Sequence, residues 1–407
     1  MHAVILTFDR LPARFLGCYG AEDASTPHFD RLAAESAVFD AHFAENADAQ
    51  AAGHAWWTGR YHFPHPSQVQ RDLPSILVEL EAAGVRTALV SEANMSPPAP
   101  RFSESKEVDG RDGLDVSPED VPFARLIAGA EESLSRMAEP AAPPSLLWLR
   151  SRGVARPWLP PREFAIEALA DAGLLDDDDD DADSAENQGS AKSPRADRNG
   201  TAADRETLDS DLEAIIAALI ERLEDRRSPD PQVDQLDFET LVYTARAVYA
   251  GSVSLLDWGL GRLLEMLERR RSPEPLLLIV TSALGESLGE TVGLGQRRSE
   301  FEHGSRLASE ITQTPLILQI RPDGPNGRTG ALAQCVDLAP TLLEWFGIPA
   351  DRFPLDGRSL LPVARGESPA IREFACMGDG PRRAIRTADF LLVSDGGPEG
   401  PAGTATP

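Results

Sequence analysis

Cysteine is scarce in this sequence. Cys18, Cys335 and Cys376 are widely spaced and odd in number, which argues against a disulfide framework and fits a reducing compartment. Positive charge is also short: 39 Lys and Arg stand against 66 Asp and Glu, a net charge of −27. Such a surface repels a phosphate backbone and an anionic bilayer, so neither nucleic acid nor membrane is an expected partner. No stretch approaches the roughly 18 consecutive apolar residues of a membrane span. The first apolar run starts almost at Met1 with no basic region or apolar signal segment before it, so the expected location is the cytoplasm. No internal repeat is found.

What is present is a 407-residue chain, 42% hydrophobic, with enough apolar material for one large core or two domains. Ala3, Val4, Ile5 and Leu6 form a near-continuous apolar run ending at Asp9 and broken at Pro12, the pattern of a fully buried parallel strand. In open α/β sheets ligands sit outside the carboxyl ends of the strands, which puts Asp9 in position for chemistry. The plainer reading of Asp9 is a cap on the turn or the next helix.

Further strands are expected at 39–43, 85–90, 145–149, 275–281 and 316–320, and helices at 26–37, 75–83, 123–137, 206–224, 238–270 and 338–346. Residues 45–55 read as a small-residue loop leading into a helix, and 95–120 and 150–161 as surface loops. Six consecutive aspartates, Asp176 to Asp181, open an acidic tract expected to be a disordered insert to about residue 211. Without the spacing or glycine of a calcium loop, a solvated linker is the preferred reading of that run. Residues 383–393 suggest a strand or hairpin in a short C-terminal segment, 356–407, that ends in a disordered tail. Alternating strands and helices imply an α/β domain over 1–355, with a mainly parallel sheet flanked by helices on both faces.

Several blocks in order resemble the sulfatase family of the alkaline-phosphatase-like superfamily. They are Asp9 to Gly20 (DRLPARFLGCYG), Thr26 to Phe39, Thr58-Gly59-Arg60-Tyr61, Ser252 to Leu267, the Thr281–Ser282 and Gly285–Glu286 pairs, Leu288 to Glu290, and Val336 to Pro362. The resemblance implies an alkaline-phosphatase-like fold and, for an intact member, sulfuric ester hydrolysis. The family oxidises a Cys or Ser in Cys/Ser-x-Pro-x-Arg to its aldehyde nucleophile. Counting back from Thr58 and Arg60, those positions are Ala49, Ala51 and Gly53 here. A methyl group is neither a nucleophile nor an aldehyde precursor. The family also binds a divalent cation, usually calcium, through two paired aspartates and a late Asp followed by His, Asn or Gln. Here the pairs are Asp9–Arg10 and Ala283–Leu284. Calcium takes about six to eight oxygen ligands, so Asp9 alone beside a guanidinium is a poor site. The family's late Lys corresponds to Gln296, and the segment 153–157 lacks the family's His.

Among the remaining polar groups, His54 is a candidate general base with Asp9 as its orienter, against a purely structural role. Arg10, Arg150, Arg152 and Arg156 cluster at expected strand ends and would fork onto sulfate, phosphate or carboxylate. His42 and His303 read as loop hydrogen-bond partners, His62 and His65 lack metal-ligand company, and Trp56 with Trp57 read as core. The leading expectation is a catalytically inactive sulfatase-like protein that binds an anionic small molecule or a protein partner, or regulates an active relative, with no cofactor. The alternative is an active hydrolase of sulfate or phosphate esters with a repurposed site, and only that reading calls for calcium.

Overall fold

The computed structural model describes residues 1–62, 75–95, 99–154, 158–175, 235–270, 274–288, 307–322 and 324–395. The acidic insert, the expected helix 206–224, the tail, Arg156, Gln296, His65 and His303 lie outside the described residues.

The chain runs β1 (His2–Arg10), α1 (Pro27–Ala34), β2 (Ala37–Phe39), β3 (His42–Phe43), α2 (Ala49–Thr58), α3 (Ile76–Ala82), β4 (Arg86–Glu92) and β5 (Glu104–Val108). It continues through α4 (Pro122–Gly129), α5 (Glu131–Met137), β6 (Ser145–Gly153), α6 (Arg162–Asp171), α7 (Gln235–Arg269), β7 (Leu276–Leu284) and β8 (Leu316–Arg321). The last part holds β9 (Gly327–Thr329), β10 (Ala333–Gln334), α8 (Leu338–Trp345), α9 (Leu361–Ala364), β11 (Ala375–Asp379), β12 (Arg382–Arg386) and β13 (Leu391–Asp395).

Eight strands form the central sheet in the order β5-β4-β6-β1-β7-β8-β2-β9. All neighbours are parallel except β8, which runs antiparallel to both β7 and β2. The apolar run at the N-terminus is therefore the middle of the sheet, paired on both edges and covered on both faces. Its alternation sorts the two cores: Val4, Leu6 and Phe8 pack with Leu126, Val253 and Leu260 from α4 and α7, whereas Ala3 and Ile5 pack with Trp56, Leu80 and Leu342 from α2, α3 and α8. Trp56 and Trp57 are indeed core, clustered around Trp148 with ring centroids 6.3 and 5.8 Å away.

The structure corrects several expectations. The loop 95–120 contains β5, whose sequence ESKEV has no apolar alternation because it is an exposed edge strand guarded by charge. The loop 45–55 gives way to α2 already at Ala49, where Asp48 Oδ1 accepts the Gln50 N–H at 2.8 Å as N-cap. Strand 39–43 is two pieces, β2 in the main sheet and β3 paired with β10. The helix 123–137 is broken into α4 and α5 after Gly129, and β6 runs through Arg150 to Gly153, so these residues are strand rather than loop. The C-terminal segment is a three-stranded antiparallel sheet, β11-β12-β13. Among the described residues no helix is long and apolar enough to cross a membrane.

Candidate active site

The parallel register brings the carboxyl ends of β6, β1 and β7 side by side. Phe8 lies opposite Ser151 and Ser282, and Arg10 opposite Gly153 and Leu284, so Asp9 is flanked by Arg152 and Ala283. Gly153 is required here: its φ is +68°, and a Cβ would stand 2.1 Å from the Arg10 carbonyl oxygen.

Every arginine that the sequence placed at this rim and that the structure describes faces a carboxylate. Arg150, 1% exposed, donates from Nη2 to Asp9 Oδ1 at 3.4 Å and lies 5.5 Å over the Trp57 ring. Arg10 Nη1 donates to Glu286 Oε2 at 3.0 Å, and Arg14 Nη2 donates to the Glu286 carbonyl at 2.7 Å. Arg152 bridges two acids, with Nε 2.9 Å from Glu92 Oε2 and Nη2 3.0 Å from Asp112 Oδ2. Ser151 Oγ donates to the other Glu92 oxygen at 2.5 Å. Burial pushes Asp9 up to about 6, outweighing the lowering by Arg150, and it raises Glu92 as well. Sequence reasoning missed Glu92, although it carries the signal that picked out Asp9, an acid at the carboxyl end of a buried strand.

The proposed dyad of His54 and Asp9 is not assembled. The His54 ring stands 5.3 Å from the His62 ring, and Asp9 meets Arg150 instead. His62 Nε2 lies 3.1 Å from Thr58 Oγ1, and burial, then the charges of His54 and Arg60, lowers it to about 4. Ala49 begins α2 and presents only a methyl, while Ala51 and Gly53 are buried. His42 hydrogen-bonds Thr314 Oγ1 at 2.8 Å, though from a short buried strand rather than a loop.

Among the described residues around Asp9, no donor set fits calcium. Asp9 offers one carboxylate, already paired with Arg150, and its neighbours Arg10, Ala283 and Leu284 bring no side-chain oxygen. Among the described residues no three His, Cys, Asp or Glu side chains come together as a metal would require.

A second polar cluster, not foreseen from sequence, lies between α2, α8 and the C-terminal sheet. Asp337 accepts from the backbone N–H of Gln334 and of Arg358, each at 2.8 Å, and from Arg372 Nη2. Arg372 Nη1 reaches Tyr61 and Gln334, both at 2.9 Å. Beside them Glu45 is fully buried, its carboxyl next to the Cys335 thiol and without a well-formed hydrogen bond to either oxygen, and burial pushes it up to about 8.

Comparison with known proteins agrees with this architecture. The sequence is 33% identical to the multifunctional alkaline phosphatase superfamily protein PehA of Trinickia caryophylli over 127 residues, 30% of this chain and only 23% of PehA. The structure of BT4656 in complex with D-glucosamine-2-N,6-O-disulfate superposes with a TM-score of 0.69 at 21% identity, covering 96% of this chain and 87% of that one. The phosphonate monoester hydrolase of Agrobacterium radiobacter gives 0.62 at 17% identity, covering 97% and 89%. At these identities the likeness is one of fold. The sulfatase family model matches residues 2–107 and 178–348, more than half of the sequence, and the chain belongs to the sulfatase family.

Proposed function

We propose that this protein keeps the sulfatase fold without ester-hydrolysing chemistry and acts by binding. The observation that carries the reading is the closure of charge at the strand ends. Asp9 is neutralised by Arg150 and Glu286 by Arg10, so the rim supplies its own cations where a metal-dependent hydrolase holds an ion. Ala49, at the position matching the family's nucleophile, adds no reactive atom.

A protein partner is favoured over a small anion. A free sulfate or phosphate would have to displace Glu286, Asp9 or Glu92 from Arg10, Arg150 or Arg152. Regulation of an active relative is one form such binding takes. The competing reading, a repurposed hydrolase, draws on the Asp9 carboxyl, which burial brings to about 6 and so within reach of a proton near neutral pH.

Turnover of aryl sulfate, aryl phosphate and a phosphonate monoester by the purified chain separates the two. The expected rate is that of buffer for all three. Sustained turnover that Asp9→Asn abolishes would establish the hydrolase instead.

A further inference from the structure

The C-terminal sheet has one clothed face and one bare one. Met377 and Ala384 turn inward onto Phe43, Leu307 and Leu332, and Ala375 is buried on the same face. On the other face the cross-strand pair Ile385 and Leu392 are 47% and 69% exposed, and Phe390, immediately before β13, is 76% exposed. The β11 edge is covered by the segment before α2, through the Asn46–Gly378 bridge and the Gly378 N–H to Glu45 carbonyl bond of 2.9 Å. Among the described residues nothing pairs with the outer edge of β13. Since the Thr387 N–H donates to the Phe390 carbonyl at the hairpin, alternation turns the amides of Leu391, Val393 and Asp395 outward. An apolar open edge of this kind is a template for another strand.

We infer that β13 pairs antiparallel with β13 of a second copy of this chain, joining two C-terminal sheets into one of six strands. Charge singles out the occupant. The whole molecule carries −27, which keeps copies apart over most of its surface. Within 372–395, however, Arg372, Arg382, Arg383 and Arg386 balance Glu373, Asp379, Asp389 and Asp395. This is a charge-balanced segment on an acidic body, with Arg372 turned in to Asp337 and Arg386 over the Phe43 ring. An antiparallel edge meets its own copy through the same groups on both sides, the self-complementarity a two-fold interface needs. The residues that follow, 396–407, read GGPEGPAGTATP and carry no large apolar side chain to cover Phe390 and Leu392.

Sedimentation velocity of the intact chain over a range of concentrations, with amide hydrogen exchange alongside, tests this pairing. The expected result is a dimer that dissociates on dilution, with the Leu391 and Val393 amides slowed only at high concentration. Val393→Pro removes an outward donor without costing a bond to β12, and is expected to give a monomer whose thermal midpoint equals that of the parent at dilutions where the parent is also monomeric. Leu392→Lys sets an ammonium group beside the partner strand at the two-fold seam and should weaken association several-fold. A monomer at every concentration, or a dimer indifferent to both variants, would overturn the inference. Protection that is independent of concentration and lost on deleting 396–407 would also overturn it, because the tail would then be the strand's partner.

Discussion

Glu45→Gln is expected to stabilise the protein, and to do so more strongly as pH rises. In the unfolded chain this carboxyl ionises near its ordinary value of 4.5, but in the folded chain it holds its proton to about 8. The folded state therefore binds more protons between those values, and stability is complete below about 4.5 and drains away as pH climbs toward 8. The integrated effect is on the order of 3 kcal/mol at pH 7. Gln cannot ionise, so its gain should vanish below the lower value and reach its plateau above the upper one. Asp9 and Asp337, both raised by burial to about 6, act in the same direction over a narrower window and remain in the variant. Chemical denaturation from acid to mildly alkaline pH reads the difference. A variant whose advantage does not grow with pH would mean that the Cys335 thiol and the local backbone stabilise the Glu45 carboxylate as well as water does.

Arg150→Ala is the largest expected loss, about 3–5 kcal/mol, the usual cost of leaving half of a buried ion pair behind. Arg150 is 1% exposed and Asp9 17%, so water cannot take over the neutralising role. Without the guanidinium, Asp9 should rise above its present value of about 6, and the defect should shrink in acid, where the carboxyl is protonated. The double change Arg150→Met with Asp9→Asn removes both charges and keeps volume, so it should recover most of the loss. If the double variant is as unstable as Arg150→Ala, the arginine serves Trp57 and the packing around it more than Asp9.

These two residues also mark how far the sequence could be read. Arg150 and Asp9 are both legible because a buried parallel strand has a recognisable apolar run and its carboxyl end is a defined place. The fold then did what that topology requires and set the two ends side by side. Strand β5 escaped notice because an exposed edge carries no apolar period to detect. The partners of the arginines were harder to see. Glu92, Asp112 and Glu286 come from three separate segments, and which acid meets which guanidinium is decided by strand order, which local patterns do not encode. Glu45 was hidden for the opposite reason: a glutamate in a small polar run reads as solvated loop. Its burial follows from β3, β10 and the C-terminal sheet closing over it. His54 shows the limit of proximity in sequence, since its place beside Ala49 did not bring it to Asp9.

Metal content measures most directly whether the rim arginines stand in for a metal ion, as proposed. The intact chain and its Asp9→Asn variant would be dialysed against calcium, washed, and analysed for calcium, magnesium, zinc and manganese. A third sample carrying Arg10→Asp, Ala283→Asp and Leu284→His serves as the comparison in which donors are restored. No stoichiometric ion is expected in the first two samples and no difference between them, any loose calcium on the aspartate run Asp176 to Asp181 being common to both. One firmly held divalent ion per chain in the unaltered protein, lost on Asp9→Asn, would contradict that proposal.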